Sequence, residues 1–202
     1  MASPVVKAIN ACGRFLEFVL TGQSSYALTT SSFCTADTIH NTVQAKMAQK
    51  EVVAFLQARF GMVLQHLVIV ILDKPQSTWK RVIPGSGQHL GNHMVRQMGE
   101  KNAHEIRLVP GLERRKFKAV LAHELTHAFQ AERQILCSHR GLKEGMARWV
   151  EYHILCEMKL DKEAKKLCQY RSFVLGRNML AILERERQHG MAATMDWLEH
   201  LR

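Results

Sequence analysis

A chain of 202 residues with 47% hydrophobic and 23% charged side chains has the size and balance of one domain able to bury a proper core. Its longest apolar run, Leu67–Leu72, falls far short of the roughly 20 residues a membrane-spanning helix needs, so no membrane partner is expected. The net charge of +10 would attract an acidic partner, but the basic residues scatter over what read as solvated helix faces, with no interleaved aromatics and no nucleic-acid motif. Nucleic acid is therefore a weaker expectation than a protein or peptide partner, and the oligomeric state is left open.

Five cysteines form an odd set without a CxxC pair, which argues against a secreted disulfide framework and against a cysteine zinc knuckle. Reduced thiols and an intracellular, cytoplasmic setting follow as the expectation. Residues 1–36 hold one acidic residue, Glu17, two basic ones, Lys7 and Arg14, and a Ser/Thr-rich tract. They read either as a first helix (about residues 3–20) with a loop, or as an N-terminal extension that targets an organelle. Otherwise neither repeat nor linker divides the chain, and residues 1–202 are expected to form a single domain.

In chain order, Asp37 or Thr38 would cap a helix running to Phe60, with Val43, Met47, Val52, Phe55 and Leu56 at helical spacing and Gly61 as its stop. Residues 63–72, rich in Val, Ile and Leu and followed by Asp73-Lys74-Pro75, predict a strand and a turn. Turn signals fill residues 76–104 around short β-like pieces such as 79–83. A second strand is predicted over 104–109, closed by Pro110-Gly111. Beyond it the pattern is helical, with helices at about 113–134, 143–167, 169–188 and 191–201, and breaks at Gly141 and Gly190. A small sheet in the first half and a mainly helical second half make an α+β fold.

The segment His123-Glu124-Leu125-Thr126-His127 is an HExxH. On a helix, positions i and i+4 share a face, so both imidazoles can reach one ion while Glu124 stands beside it as a general base. Chance alone yields this pattern in about four of a hundred chains of such composition, so its context matters. Phe117, Leu121, Leu125 and Ala128 form one stripe able to face a core, and the two histidines lie elsewhere on the helix. A third ligand must come from further on. Glu144, with sixteen residues between it and His127, can return on the next helix, and Gly145 would leave room beside it. His139 is the other candidate, and Glu151 could hold a ligand histidine from behind. Zn²⁺ is the expected ion, because it suits imidazole and carboxylate ligands with a position left for water.

HExxH followed by Glu144-Gly145 resembles the gluzincin metallopeptidases. The run Ile106-Arg107-Leu108-Val109-Pro110-Gly111-Leu112, then Leu121 to Ala128 around the motif, and the C-terminal stretch 170–198 with Gly176, Gly190, Thr194 and Asp196, are similar to the peptidase domain of the ubiquitin-activated organ-size-control peptidases of plants and their short bacterial relatives. The resemblance covers about residues 63–202. It implies a zincin-like metallopeptidase fold, zinc held by His123, His127 and Glu144, Glu124 as base, and intracellular endopeptidase activity on proteins. The LIM and ubiquitin-interacting segments of the plant members have no counterpart in this sequence, so activation by ubiquitin does not carry over. Tyr152 and Tyr170 are candidates for stabilising an oxyanion, and the strand at 104–109 for offering its edge to an extended substrate. Two other readings stand beside this one. The first is a SprT-like, DNA-associated protease that uses His139 as third ligand. The second is a non-catalytic binding or assembly subunit that keeps the fold.

Overall fold

In the computed structural model the described residues are 37–73, 90–99, 101–169 and 174–201. They begin with a two-residue strand, β1 (Thr38–Ile39), and helix α1 (Thr42–Phe60). Three strands of one sheet follow, β2 (Leu67–Leu72), β3 (Gly91–Met98) and β4 (Lys101–Leu108), then the short β5 (Leu112–Glu113). Four helices complete the chain, α2 (Arg114–Arg133), α3 (Arg140–Glu157), α4 (Asp161–Gln169) and α5 (Val174–His200). The class is α+β, as expected.

Helix α1 starts later than predicted. Thr38 and Ile39 pair antiparallel with Glu113 and Leu112, which holds them extended. Asn41 is the cap instead, accepting from the Gln44 backbone N–H at 2.9 Å while the Gln44 side chain accepts from the N–H of Asn41, a reciprocal capping box. The helix stops where expected, with Gly61 left-handed at φ 69°. Its buried positions are Ala45, Ala48, Val52, Leu56 and Phe60, whereas Val43 and Met47, expected on the packing face, are exposed.

The sheet has the order β2-β4-β3, with β2 parallel and β3 antiparallel to β4. Central β4 buries Ala103, Ile106 and Leu108, and β2 brings Val68 and Val70 to the same core. Two expectations are corrected here. The strand at 104–109 is the middle strand and has no free edge to offer. Among the described residues the outer edges of the sheet belong to β2 and β3, and β3 falls in a region read as turns and short pieces. Residues 79–83 lie outside those described, as do residues 1–36.

Helix α2 is the centre of the molecule, packing on β3 and β4, on α1 and on α3. Phe117, Leu121, Leu125 and Ala128 are all fully buried, the stripe predicted from their spacing. The single helix predicted over 143–167 is two, α3 and α4, separated at Met158–Leu160 where Lys159 takes φ 59°. Gly141 is no break, since α3 already begins at Arg140. The reversal between α2 and α3 uses Gln134 and Leu136, both at positive φ. The Leu136 N–H also donates to the Leu201 carbonyl at 2.8 Å, tying this turn to the end of α5. The predicted break at Gly190 is a kink within α5, with φ 81° and ψ 168°.

Helix α3 packs between α2 and α5. Trp149, fully buried, stacks edge-on with Phe60 at 5.1 Å between centroids. Its indole N–H donates to Glu186 Oε2 at 2.8 Å, so the largest apolar side chain of α3 carries its polar atom to a partner on α5.

Candidate metal centre

His123 and His127 stand one turn apart on α2, and their Nε2 atoms lie 3.2 Å from each other. Glu144 reaches across from α3, with Oε2 at 3.6 Å from His123 Nε2 and Oε1 at 3.5 Å from His127 Nε2. For ligand bonds of about 2.0–2.1 Å, tetrahedral geometry places neighbouring donors about 3.4 Å apart. The three residues therefore converge at separations close to those of ligands sharing one ion, with Glu144 offering a different oxygen to each histidine.

Hydrogen bonds on the far side of each ring fix which nitrogen is free. Gln130 donates its amide N–H to the Lys143 carbonyl at 2.8 Å, so its Oε1 is left to accept from His127 Nδ1, also at 2.8 Å. His123 Nδ1 lies 3.2 Å from Glu151 Oε2, an acceptor as well. Both rings can thus hold a proton on Nδ1, which leaves each Nε2 as the nitrogen able to ligate an ion. Two such nitrogens 3.2 Å apart need a proton or a metal cation between them, and a set of two imidazoles and a carboxylate fits a zinc ion. Glu151 occupies the position behind a histidine expected from the sequence. Gln130 was not anticipated, because an amide on the inner face of a helix gives no sequence signal of what it will touch.

Charge is concentrated here. Burial disfavours a charged His123, but its hydrogen bonds to the carboxylates of Glu144 and Glu151 outweigh it and push its pKa up to about 10. Burial opposes ionisation of Glu144 too, yet the His123 bond and the two imidazoles hold it at about 2. His127 is pulled down to about 4, by burial first and by His123 second. Glu124 is pushed up to about 7, chiefly by burial and also by the neighbouring carboxylates of Glu144 and Glu151. A cation on the three donors would draw that proton off and leave a carboxylate beside it.

Glu124 is only 8% exposed because β3 begins against it. A Cβ on Gly91 would lie 2.8 Å from Glu124 Oε1 and 2.9 Å from both Leu108 and Val120 side chains, so only glycine allows this approach. Gly145 is a second such position, with a correction to its expected role. The space that it frees is not beside the ligand. It is filled by α5, where a Cβ would meet Asn178 Cβ at 2.8 Å and the Met179 backbone nitrogen at 3.1 Å.

An open cavity of about 500 Å³ exposes the cluster, lined by Gly91, Asn92, His93, His123, Glu124, His127, Cys137, Arg140, Lys143 and Glu144. His93 on β3 is the unanticipated histidine, since it lay in a segment read as turns. Tyr152 does not line this cavity; its hydroxyl bonds Cys156. Tyr170 lies outside the described residues. His139, the rival ligand, is exposed at the N-cap of α3 and is not among the converging donors. The three described cysteines, Cys137, Cys156 and Cys168, are free thiols. Among the described residues no helix is long and apolar enough to cross a membrane. The chain matches no protein-family model, no curated protein and no solved structure.

Proposed function

We propose that this chain is a zinc-dependent endopeptidase of zincin-like fold, acting on intracellular proteins, with Zn²⁺ held by His123, His127 and Glu144. The observation that carries the reading is the convergence of the two Nε2 atoms and the Glu144 carboxylate, 3.2 to 3.6 Å apart, with Glu124 buried beside them. When bound, zinc supplies Lewis-acid polarisation of a carbonyl and lowers the pKa of water. Glu124 accepts the proton of the attacking water and returns it to the departing amine. Its enclosure by Gly91, Leu108 and Val120 keeps the carboxylate in one place and away from bulk solvent. His93, Arg140 and Lys143 line the same cavity and are the described donors available to a developing oxyanion.

The free edge of β3 runs from this cavity, and Met94, Val95 and Met98 are exposed along it. An extended peptide added to that edge would be held by main-chain hydrogen bonds with its scissile bond near the cluster.

The test measures zinc per chain and cleavage of a fluorescently labelled unfolded protein by the wild type, Glu124→Gln and Glu144→Ala. One zinc lost in Glu144→Ala, together with retained zinc and lost cleavage in Glu124→Gln, is the expected result. Equal cleavage by the wild type and Glu124→Gln sinks the reading. Zinc that depends on Glu144, with no cleavage by any variant, supports the binding-subunit reading instead.

A further inference from the structure

A second histidine and carboxylate cluster lies at the C-terminal end of α2, and none of its three residues lines the cavity. Glu132, in the last turn of α2, is 3% exposed at its side chain, and His104, on central β4, is 2% exposed. His66, immediately before β2, is half-exposed. His66 Nδ1, His104 Nε2 and a Glu132 oxygen all lie within 4.8 Å of one another.

The contacts among them do not close as hydrogen bonds. Glu132 Oε2 accepts from the Gln65 N–H at 2.7 Å. Glu132 Oε1 is approached by three nitrogens, the His66 N–H at 2.8 Å, His104 Nε2 at 3.1 Å and His66 Nδ1 at 3.3 Å. An oxygen with two lone pairs cannot serve all three. The loser is His66 Nδ1, a buried atom that makes no hydrogen bond. A buried polar atom left this way costs about 1–3 kcal/mol, so its persistence calls for a partner.

We propose that His66, His104 and Glu132 form a second zinc site, which clips the end of the metal-bearing helix to strands β2 and β4. The two Oε1 separations, 3.1 and 3.3 Å, are close to the about 3.4 Å spacing of tetrahedral ligands. His66 Nδ1 already faces Glu132 Oε1 from a half-exposed ring, and the fourth position would be left for water. Both imidazoles then offer lone pairs to the ion instead of competing for one oxygen, while Glu132 keeps its backbone bonds.

This site would be linked to the cavity by one hydrogen bond. His104 Nδ1 lies 2.9 Å from His93 Nε2, and His93 lines the cavity. Without an ion, His104 donates from Nε2 to Glu132 and must accept from His93 at Nδ1. With an ion on Nε2, the proton moves to Nδ1, His104 becomes the donor, and His93 carries its own proton on Nδ1. Occupancy therefore reverses the tautomers of both rings.

The experiment counts zinc per chain after dialysis in a zinc buffer, for the wild type, Glu144→Ala, His66→Ala and the double variant. The proposal expects about two, one, one and none. His66 is chosen because its half-exposed ring is removed without opening the core. As a second measurement, adding zinc to Glu144→Ala raises its Tm, and adding it to the double variant does not. Zinc content unchanged between the wild type and His66→Ala overturns the proposal, as does a Glu144→Ala protein without zinc whose Tm ignores the metal. Failure of the peptidase reading leaves the loss of one zinc in His66→Ala and the zinc-raised Tm of Glu144→Ala untouched, because neither depends on cleavage or on Glu144.

Discussion

Gly91 and Glu124 are in contact across the start of β3 and the middle of α2, so closely that a single methyl group on the glycine would meet the carboxylate oxygen at 2.8 Å. Among the described residues, Glu124 is thus positioned by a backbone and by no hydrogen-bonding side chain. Gly91→Ala must push the strand, or the carboxylate, by several tenths of an ångström. Cleavage should fall about 10- to 100-fold, since displacements of this order cost that much where a base must reach its proton. Zinc per chain should stay at the wild-type value. Loss of zinc in step with activity would show instead that the strand supports the ligands.

Removing the carboxylate behind His123 tests the tautomer argument. In Glu151→Ala the Nδ1 proton of His123 loses its acceptor, and competition against a chelating indicator should show zinc affinity reduced about 10- to 100-fold. Gln130→Ala should act in the same direction through His127. Wild-type affinity in both variants would mean that Nε2 is presented without help from behind.

Gly145→Ala tests the packing of α3 on α5. The added methyl meets Asn178 Cβ at 2.8 Å, and overpacking of this kind costs about 1–3 kcal/mol. Urea unfolding should show that loss, and zinc affinity should fall with it because Glu144 moves with the helix. An unchanged midpoint would mean that the two helices separate without cost.

His153 supplies a pH dependence. Burial holds its pKa below the usual 6.5, against the opposing pull of the Glu186 carboxylate 2.8 Å away, and Arg59 adds to the lowering. The folded chain therefore prefers the neutral ring, whereas the unfolded chain takes up a proton near pH 6.5. The sign follows directly. Stability is complete above pH 6.5 and declines as pH falls from 6.5 toward the lower folded pKa. Thermal unfolding in excess chelator should give a Tm that falls more steeply between pH 7 and 5 for the wild type than for His153→Gln. Parallel curves would place the titration elsewhere.

The cluster of His123, His127 and Glu144 was legible because it is local. HExxH needs one turn of helix, and Glu144 needs only a reversal of chain, so spacing is enough to bring the three donors within reach. The amphipathic stripe of α2 was legible for the same reason. Residues that act through tertiary contact were not. Nothing in the run Gly91-Asn92-His93 distinguishes an edge strand from a turn, because β3 has one partner and lacks the continuous apolar pattern that marks β2. That one omission moved a free edge to the wrong strand and hid both His93 and the reason for Gly91. Gly145 was noticed, but its neighbour was misjudged, since the helix that fills its space comes more than thirty residues later. His66, His104 and Glu132 come from three separate parts of the chain and have no motif spacing at all.

The contact of Gly145 with Asn178 and Met179, together with the bond from Leu136 to Leu201, has a consequence for the position of Glu144. Both ends of the segment that carries Glu144 rest on α5 or on the residue that follows it, more than thirty positions further along the chain. A change in the seating of α5 would therefore move Glu144 relative to His123 and His127 without touching any of the three.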